Sequence, residues 1–193
     1  MFRLDQKVIV IKGATGLLGK KHAEAVAYHG GVTILLDLNQ NEVVSFANQI
    51  KDQYNVPSIG FSVDITDEKA IEKNLELIIN KFGKIDGLVN NAANNPKVEN
   101  NNGCNFSRLE NFTVDAWNLD LGVGLTGAFL CSKYYGHQIS KNANGGIIIN
   151  ISSDLGLIAP DQRLYAEKGI VNDQQNVKPV TYSVIKAGII GLT

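Results

Sequence analysis

The sequence predicts an α/β fold, a doubly wound parallel sheet with helices on both faces, giving three layers. Two observations carry this reading. Short apolar runs alternate with longer stretches of helical period along the 193 residues, which is the pattern of successive βαβ units. A glycine-rich turn containing Gly13, Gly16 and Gly19 also falls directly between the first apolar run and the first helical stretch.

The elements follow in order. "KVIVI" (Lys7–Ile11) reads as the first strand, and "LLGKKHAEAVAYHG" as a helix ending at Gly30-Gly31. "VTILLD" (Val32–Asp37) is the second strand, with "NEVVSFANQIKDQY" as the helix after it. "SIGFSVD" (Ser58–Asp64) is the third strand; the amphipathic "DEKAIEKNLELIINKFG" follows, ended by Gly83, a residue suited to the left-handed turn at a helix end. "IDGLVNNAA" is the fourth strand and its exit. The Asn-rich segment from Asn94 to Asn111 has no period and reads as a surface loop. "TVDAWNLDLGVGLTGAFLCSKYYGHQISKN" reads as one long helix despite Gly124 and Gly127, and "GGIIINIS" as a fifth, fully buried strand. Asp154 to Pro179 is polar and irregular, and a last helix begins near Tyr182. The expectation is a single domain over residues 1–193, with five βα steps, a sixth helix and no sixth strand.

Composition narrows the function classes. With 44% hydrophobic and 19% charged residues the chain reads as a soluble globular protein. A net charge of −1 offers nothing to nucleic acid or an anionic membrane. No apolar run approaches the ~20 residues of a membrane helix, and the N-terminus does not read as a signal peptide. Cys104 and Cys131 lack metal-ligand spacing, so no metal site is expected and a reducing, cytoplasmic setting is the default.

In its strand–turn–helix setting the segment "KGATGLLGKKHAEA" reads as a dinucleotide turn. One glycine allows the tight turn, one lets the backbone approach a pyrophosphate, and one lets helix and strand pack closely. The helix N-terminus then offers free N–H groups to phosphates. Gly13, Thr15, Gly16, Leu17 and Leu18 are the expected contacts. Asp37 ends the second strand, where a carboxylate can accept both ribose hydroxyls and repel a 2′-phosphate, favouring NAD over NADP. Asp64 or its neighbour Ile65 would flank the adenine; an N-cap role for Asp64 or Thr66 is the alternative.

"GATGLLG", "DIT" after the third strand, "NNAA" (Asn90–Ala93) after the fourth, "NISSDLG" after the fifth and the terminal "YSVIKAGIIGLT" occur in an order and spacing that resemble the short-chain dehydrogenase/reductase family. The resemblance covers the whole chain. It implies a Rossmann-like fold and hydride transfer between a nicotinamide and an alcohol or ketone. It also implies that Tyr182 is the general acid/base, Lys186 its partner and Ser153 a donor to the substrate oxygen, with Asn91 and Ala92 lining the cofactor. Within the family, "GLTGAFLCSK" and "DLGLIAPDQRLY" look most like oxidoreductases of bacterial flagellin modification, which implies a sugar-derived substrate. A homodimer or homotetramer is implied in the same way.

The residue types make chemical sense. A free tyrosine, with a pKa near ~10, is a poor base at neutral pH. Residues four apart share a helix face, so the charge of Lys186 favours the Tyr182 phenolate. Tyr165, twelve residues after Ser153, is the rival. It has Gly169 where a lysine is needed, and "AEKGIVNDQQNVKP" after it does not read as a helix. Tyr182 is chosen, which makes 154–181 an inserted loop beside the substrate, with Asp161, Arg163 and Lys168 as candidate contacts to it.

Three departures from the family pattern stand out. Lys12 replaces a threonine that helps tie the first turn to the fourth strand's exit. Gly124 replaces an asparagine that positions a water in the proton relay, and could leave room for another water. The family's chain also continues past the last helix, so the C-terminal strands are expected to be lacking here. Two further readings stay open: a non-catalytic dinucleotide-binding or regulatory protein, and a sugar-nucleotide epimerase or dehydratase, which has this glycine spacing.

Overall fold

In the computed structural model, residues 2–94 and 107–193 are described. They fall into two compact units, Met1–Ala92 with Thr126–Ile151, and Ala93–Leu125 with Ser152–Thr193.

The first unit holds a five-stranded parallel sheet of order β3-β2-β1-β4-β5. Its strands are β1 (Val8–Lys12), β2 (Val32–Asp37), β3 (Ser58–Ser62), β4 (Gly87–Asn90) and β5 (Ile147–Asn150). Crossover helices α1 (Leu17–Tyr28), α2 (Gln40–Tyr54) and α3 (Glu68–Phe82) connect them. The helical starts have chemical causes. The Asn39 side chain accepts from the N–H groups of Asn41 and Glu42, and the Asp67 carboxylate from that of Lys69, each satisfying an orphan donor of a first turn. The cap of α3 is therefore Asp67, not Asp64 or Thr66. At the other end Gly83, with φ +74°, closes α3 as its sequence position predicts.

Register explains the two-sided core. Ile11 stands beside Leu35 and Val89, and these three pack with Ala23, Ala27, Val43, Ala47 and Ile50 of α1 and α2. Val10, Ile34 and Leu88 are one residue out of step and fully buried, so alternation turns them to the opposite face. That face belongs to α3 and to the helical residues after Thr126, where the buried Tyr135 hydroxyl donates to the Asn74 amide oxygen at 2.8 Å.

β5 departs from expectation. Its isoleucine run reads as a strand covered on both faces. Yet among the described residues β5 pairs only with β4, at the sheet edge, and Ile147, Ile148 and Ile149 are 59%, 36% and 43% exposed.

The second unit contains α4 (Val114–Leu121) and a C-terminal helix. Thr113 caps α4 by accepting from the Ala116 N–H. The expected long helix is helical throughout residues 114–139, but not uniformly α. A π segment Gly122–Thr126 follows α4, then α5 (Gly127–Cys131), a second π segment Ser132–Gly136, and α6 (His137–Ile139). The C-terminal helix α7 (Val180–Leu192) starts two residues before Tyr182. The expected loop over Asn94–Asn111 lies mostly outside the described residues, as does Cys104. Among the described residues no helix is long and apolar enough to cross a membrane, and no cluster of His, Cys, Asp or Glu could hold a metal.

Candidate active site

The first unit gathers the nucleotide-type residues at the C-terminal ends of its strands. The strand order reverses between β1 and β4, the place where open parallel sheets bind ligands. Gly13 leaves β1 with φ +68°, and a Cβ there would lie 2.8 Å from the Ala92 Cα. A Cβ on Gly19 would collide with the Gly13 carbonyl oxygen. Both glycines are thus required by close approach, one at the β4 exit and one where α1 crosses the turn. The N-terminus of α1 has no side-chain cap and no acidic residue in its first turn, so its orphan N–H groups remain available to an anion. Leu17 and Leu18 stand exposed there.

Replacing the family threonine with Lys12 does not leave the turn untied. The Asn91 amide donates to the carbonyls of Gly13 at 3.0 Å and Lys12 at 3.4 Å. Lys12 itself is fully buried, and its charge acts on Cys131. Burial dominates at that cysteine and pushes its thiol up to about 11, with the Lys12 charge opposing. Asp37 accepts the main-chain N–H of Thr15 at 2.9 Å and its hydroxyl at 2.7 Å on the same oxygen, and the Leu38 N–H on the other. Asp64 is engaged by Thr66, which donates its N–H and hydroxyl to one carboxylate oxygen. Ile65 is buried against Gly127. Gly13, Thr15, Gly16, Asp37, Asn91 and Ala92 therefore meet around one turn, while the Asp64 and Ile65 side chains have structural partners of their own.

The second unit holds Ser153, Tyr182 and Lys186. Tyr182 lies on the first turn of α7, and the Lys186 Nζ is 5.7 Å from the centre of its ring. Burial pulls the Lys186 ammonium below the ordinary lysine value. Ser153 is turned elsewhere: its hydroxyl donates to Asp154 at 2.7 Å and accepts the Leu155 N–H, capping a 3₁₀ turn at Asp154–Gly156. It is the neighbouring Ser152 that grips α7, donating to the Lys186 carbonyl at 2.8 Å. Gly156 lies so close to the Lys186 carbonyl that a Cβ would fall 2.8 Å from its oxygen.

The space that a larger side chain would take at Gly124 is already filled. A Cβ there would stand 2.7 Å from Cγ2 and 2.9 Å from Cδ1 of Ile185, so an α7 side chain fills the space. One turn earlier, the buried Asp120 carboxylate accepts from the hydroxyl of Thr181 at 2.6 Å and the amide of Asn94 at 2.7 Å. This ties the start of α7 to α4.

The inserted stretch is a built loop. It forms 3₁₀ turns at Gln162–Tyr165 and Asn172–Gln174. Glutamine side chains stand in for strand partners: Gln162 bonds both the N–H and the carbonyl of Lys178, and Gln175 bonds Glu167 and Ile170. Tyr165 ends a 3₁₀ turn, with no helix after it to carry a lysine. Arg163 is 90% exposed and pairs with Asp161, and Lys168 is exposed. The lining of this unit's cavity of about 460 Å³ comes instead from Arg108, Gln162, Lys178, Val180 and Ser183, among others. The Ser183 hydroxyl is buried with no hydrogen-bond partner among the described residues.

A sequence model described as short chain dehydrogenase matches residues 7–166. The chain belongs to the short-chain dehydrogenase family. It is 31% identical over 199 residues to the trans-4-hydroxycyclohexanecarboxylate dehydrogenase of Sinomonas cyclohexanicum, covering 99% of this chain and 65% of that protein. Against the post-translational flagellin modification protein A of Campylobacter coli it is 28% identical over 186 residues, 96% of this chain and 68% of that one. The crystal structure of NAD⁺-bound xylitol dehydrogenase matches with a TM-score of 0.79 at 26% identity, over 98% of this chain and 63% of that chain. The chain thus spans about two thirds of the length of these relatives.

For a short-chain dehydrogenase this sequence hid several contacts. Ser152 and Ser153 are adjacent serines, and nothing in "NISSDLG" says which one faces α7. The Asp120–Thr181 bond joins residues 61 apart.

Proposed function

We propose that this chain carries the core of an NAD-dependent oxidoreductase that interconverts a secondary alcohol and a ketone. The observation that supports it most is the α7 pair: Tyr182 with Lys186 beside its ring, on a helix fixed by Ser152 and Asp120. The residues of the first unit suit a dinucleotide. The uncapped α1 N-terminus and the clearances at Gly13 and Gly19 would hold the pyrophosphate, and Asp37 would hold the adenosine ribose in preference to a 2′-phosphate. When bound, the nicotinamide supplies the hydride acceptor for alcohol oxidation, or the donor for ketone reduction.

The chain's own residues then handle the proton. In the oxidation direction the Tyr182 phenolate oxygen takes the alcohol's hydroxyl proton as the carbinol C–H bond gives up its hydride. Lys186 stabilises the phenolate by its charge. The Ser153 hydroxyl reaches the substrate oxygen by rotating from Asp154, a torsional change open to a serine rotor. The body of the substrate occupies the cavity lined by Arg108, Gln162 and Ser183. A polyol or hydroxylated ring matches the alcohols named for the relatives, and a sugar-derived substrate fits the flagellin-modification relative. A cytoplasmic homodimer or homotetramer belongs to the same reading.

A regulatory, non-catalytic dinucleotide binder is the second reading. Ile185 filling the space at Gly124, and the Asp154 bond of Ser153, favour it. The experiment that separates the two is reduction of NAD⁺ by a panel of polyols and cyclic hydroxy acids, followed by the absorbance of reduced nicotinamide. Turnover supports the oxidoreductase; cofactor binding without turnover across the panel supports the regulator.

A further inference from the structure

Tyr182 has a second cation. The Nζ of Lys178 lies 4.1 Å from the centre of the Tyr182 ring, closer than the 5.7 Å of Lys186. Both distances are within the ~6 Å over which an ammonium is attracted to an aromatic face. Lys178 belongs to the inserted loop, four residues before Tyr182 and outside α7. Its backbone is clamped at both polar groups by the Gln162 side chain, whose amide oxygen accepts the Lys178 N–H at 2.8 Å and whose NH₂ donates to the Lys178 carbonyl at 3.3 Å. Pro179 follows and restricts the backbone of Lys178. The loop therefore holds this lysine in register with the helix start.

We propose that Lys178 is a positioning residue for Tyr182, fixing the ring and placing a second positive charge against the phenol as it ionises. The proposal rests on Tyr182 being the acid/base. Half-burial of Lys178 lowers its proton affinity, and the electron-rich ring face offsets part of that desolvation. The charged groups of the elements packed around α7 are otherwise placed. Lys186 sits on α7 itself. From α4, Asp120 is engaged by Thr181 and Asn94; Asp115 stands in that helix's first turn. From the Asp154–Gly156 turn, Asp154 accepts from Ser153 and the Leu155 N–H. Among the described residues, the charged groups recorded against the Tyr182 ring are the two lysines.

The test compares wild type, Lys178→Met and Lys178→Arg. The pH dependence of kcat/KM for alcohol oxidation is measured from about pH 6 to 10. Lys178→Met is expected to move the acidic limb up by about one unit, lowering kcat/KM about tenfold at neutral pH. Its rate should converge on wild type at the alkaline end, with KM for the cofactor unchanged, and Lys178→Arg should restore most of the loss. A uniform loss at every pH, or a profile superimposed on wild type, overturns the proposal. A second readout needs no turnover: the Tyr182 ring carbon signal, labelled with carbon-13 and assigned by its absence in Tyr182→Phe, is titrated in wild type and Lys178→Met. An upward displacement in the variant supports the proposal, and coincident curves overturn it. If Tyr182→Phe keeps full activity while the titrations differ, the acid/base reading fails and the Lys178–Tyr182 coupling stands.

Discussion

Thr15 donates both its main-chain N–H and its hydroxyl to one carboxylate oxygen of Asp37, at 2.9 and 2.7 Å. The two residues come from the glycine turn and the end of β2. The carboxylate is thereby fixed at the C-terminal edge of the sheet, with its second oxygen bonded to the Leu38 N–H. A carboxylate has about four acceptor positions, so one remains beyond the three in use. In the proposed function this carboxylate would face the adenosine ribose and disfavour a 2′-phosphate.

Asp37→Ser should therefore change cofactor choice. NADH affinity should fall about tenfold, the scale of one charge-assisted hydrogen bond, while NADPH affinity holds or rises. Fluorescence titration with each reduced cofactor measures both. Equal affinities for NADH and NADPH in the wild type would remove this role for Asp37.

At Gly124 the constraint is packing. The Ile185 side chain lies within 2.7 Å of any Cβ, so restoring the family's asparagine by Gly124→Asn should destabilise by about 1–3 kcal/mol, the usual cost of overpacking. Combining it with Ile185→Ala should recover part of the loss. Urea unfolding of the four members of this cycle gives the coupling energy, and additive effects would mean that Ile185 does not fill the site.

Asp86 sets an acid dependence of stability. Burial alone would raise its carboxyl; the Val8 N–H at 2.9 Å and the Lys84 and Lys7 ammonium groups outweigh that and hold it below the ordinary value. With the folded value below the unfolded value of about 3.9, its contribution is present above that pH. It is lost as pH falls through the folded value. Asp86→Asn should cost about 2 kcal/mol at neutral pH, and unfolding curves should converge with wild type in strong acid. A constant gap at every pH would contradict the assignment.

The sheet was legible because β-branched runs and helical periods alternate, and because Gly13 and Gly83 stand where only positive φ serves. The glycine turn was legible for the same reason. The exposure of the β5 isoleucines was not legible, because an isoleucine run looks the same whether or not a neighbour covers it, and among the described residues β5 has β4 on one side alone. The α/π alternation after Val114 leaves no mark in composition. At the site, the Tyr182–Lys186 spacing follows from helix geometry, whereas the Ser152–Lys186 and Asp120–Thr181 bonds depend on long-range packing. The approach of Lys178 depends on the Gln162 clamp within an irregular loop.

If the proposed chemistry holds, Tyr182 carries the proton. The most direct measurement is the rate of NAD⁺ reduction by Tyr182→Phe with an alcohol that the wild type oxidises, alongside NADH affinity. The account predicts a loss of about a thousandfold in kcat, with NADH affinity unchanged. A retained rate in Tyr182→Phe, with the loss appearing in Tyr165→Phe instead, would contradict it.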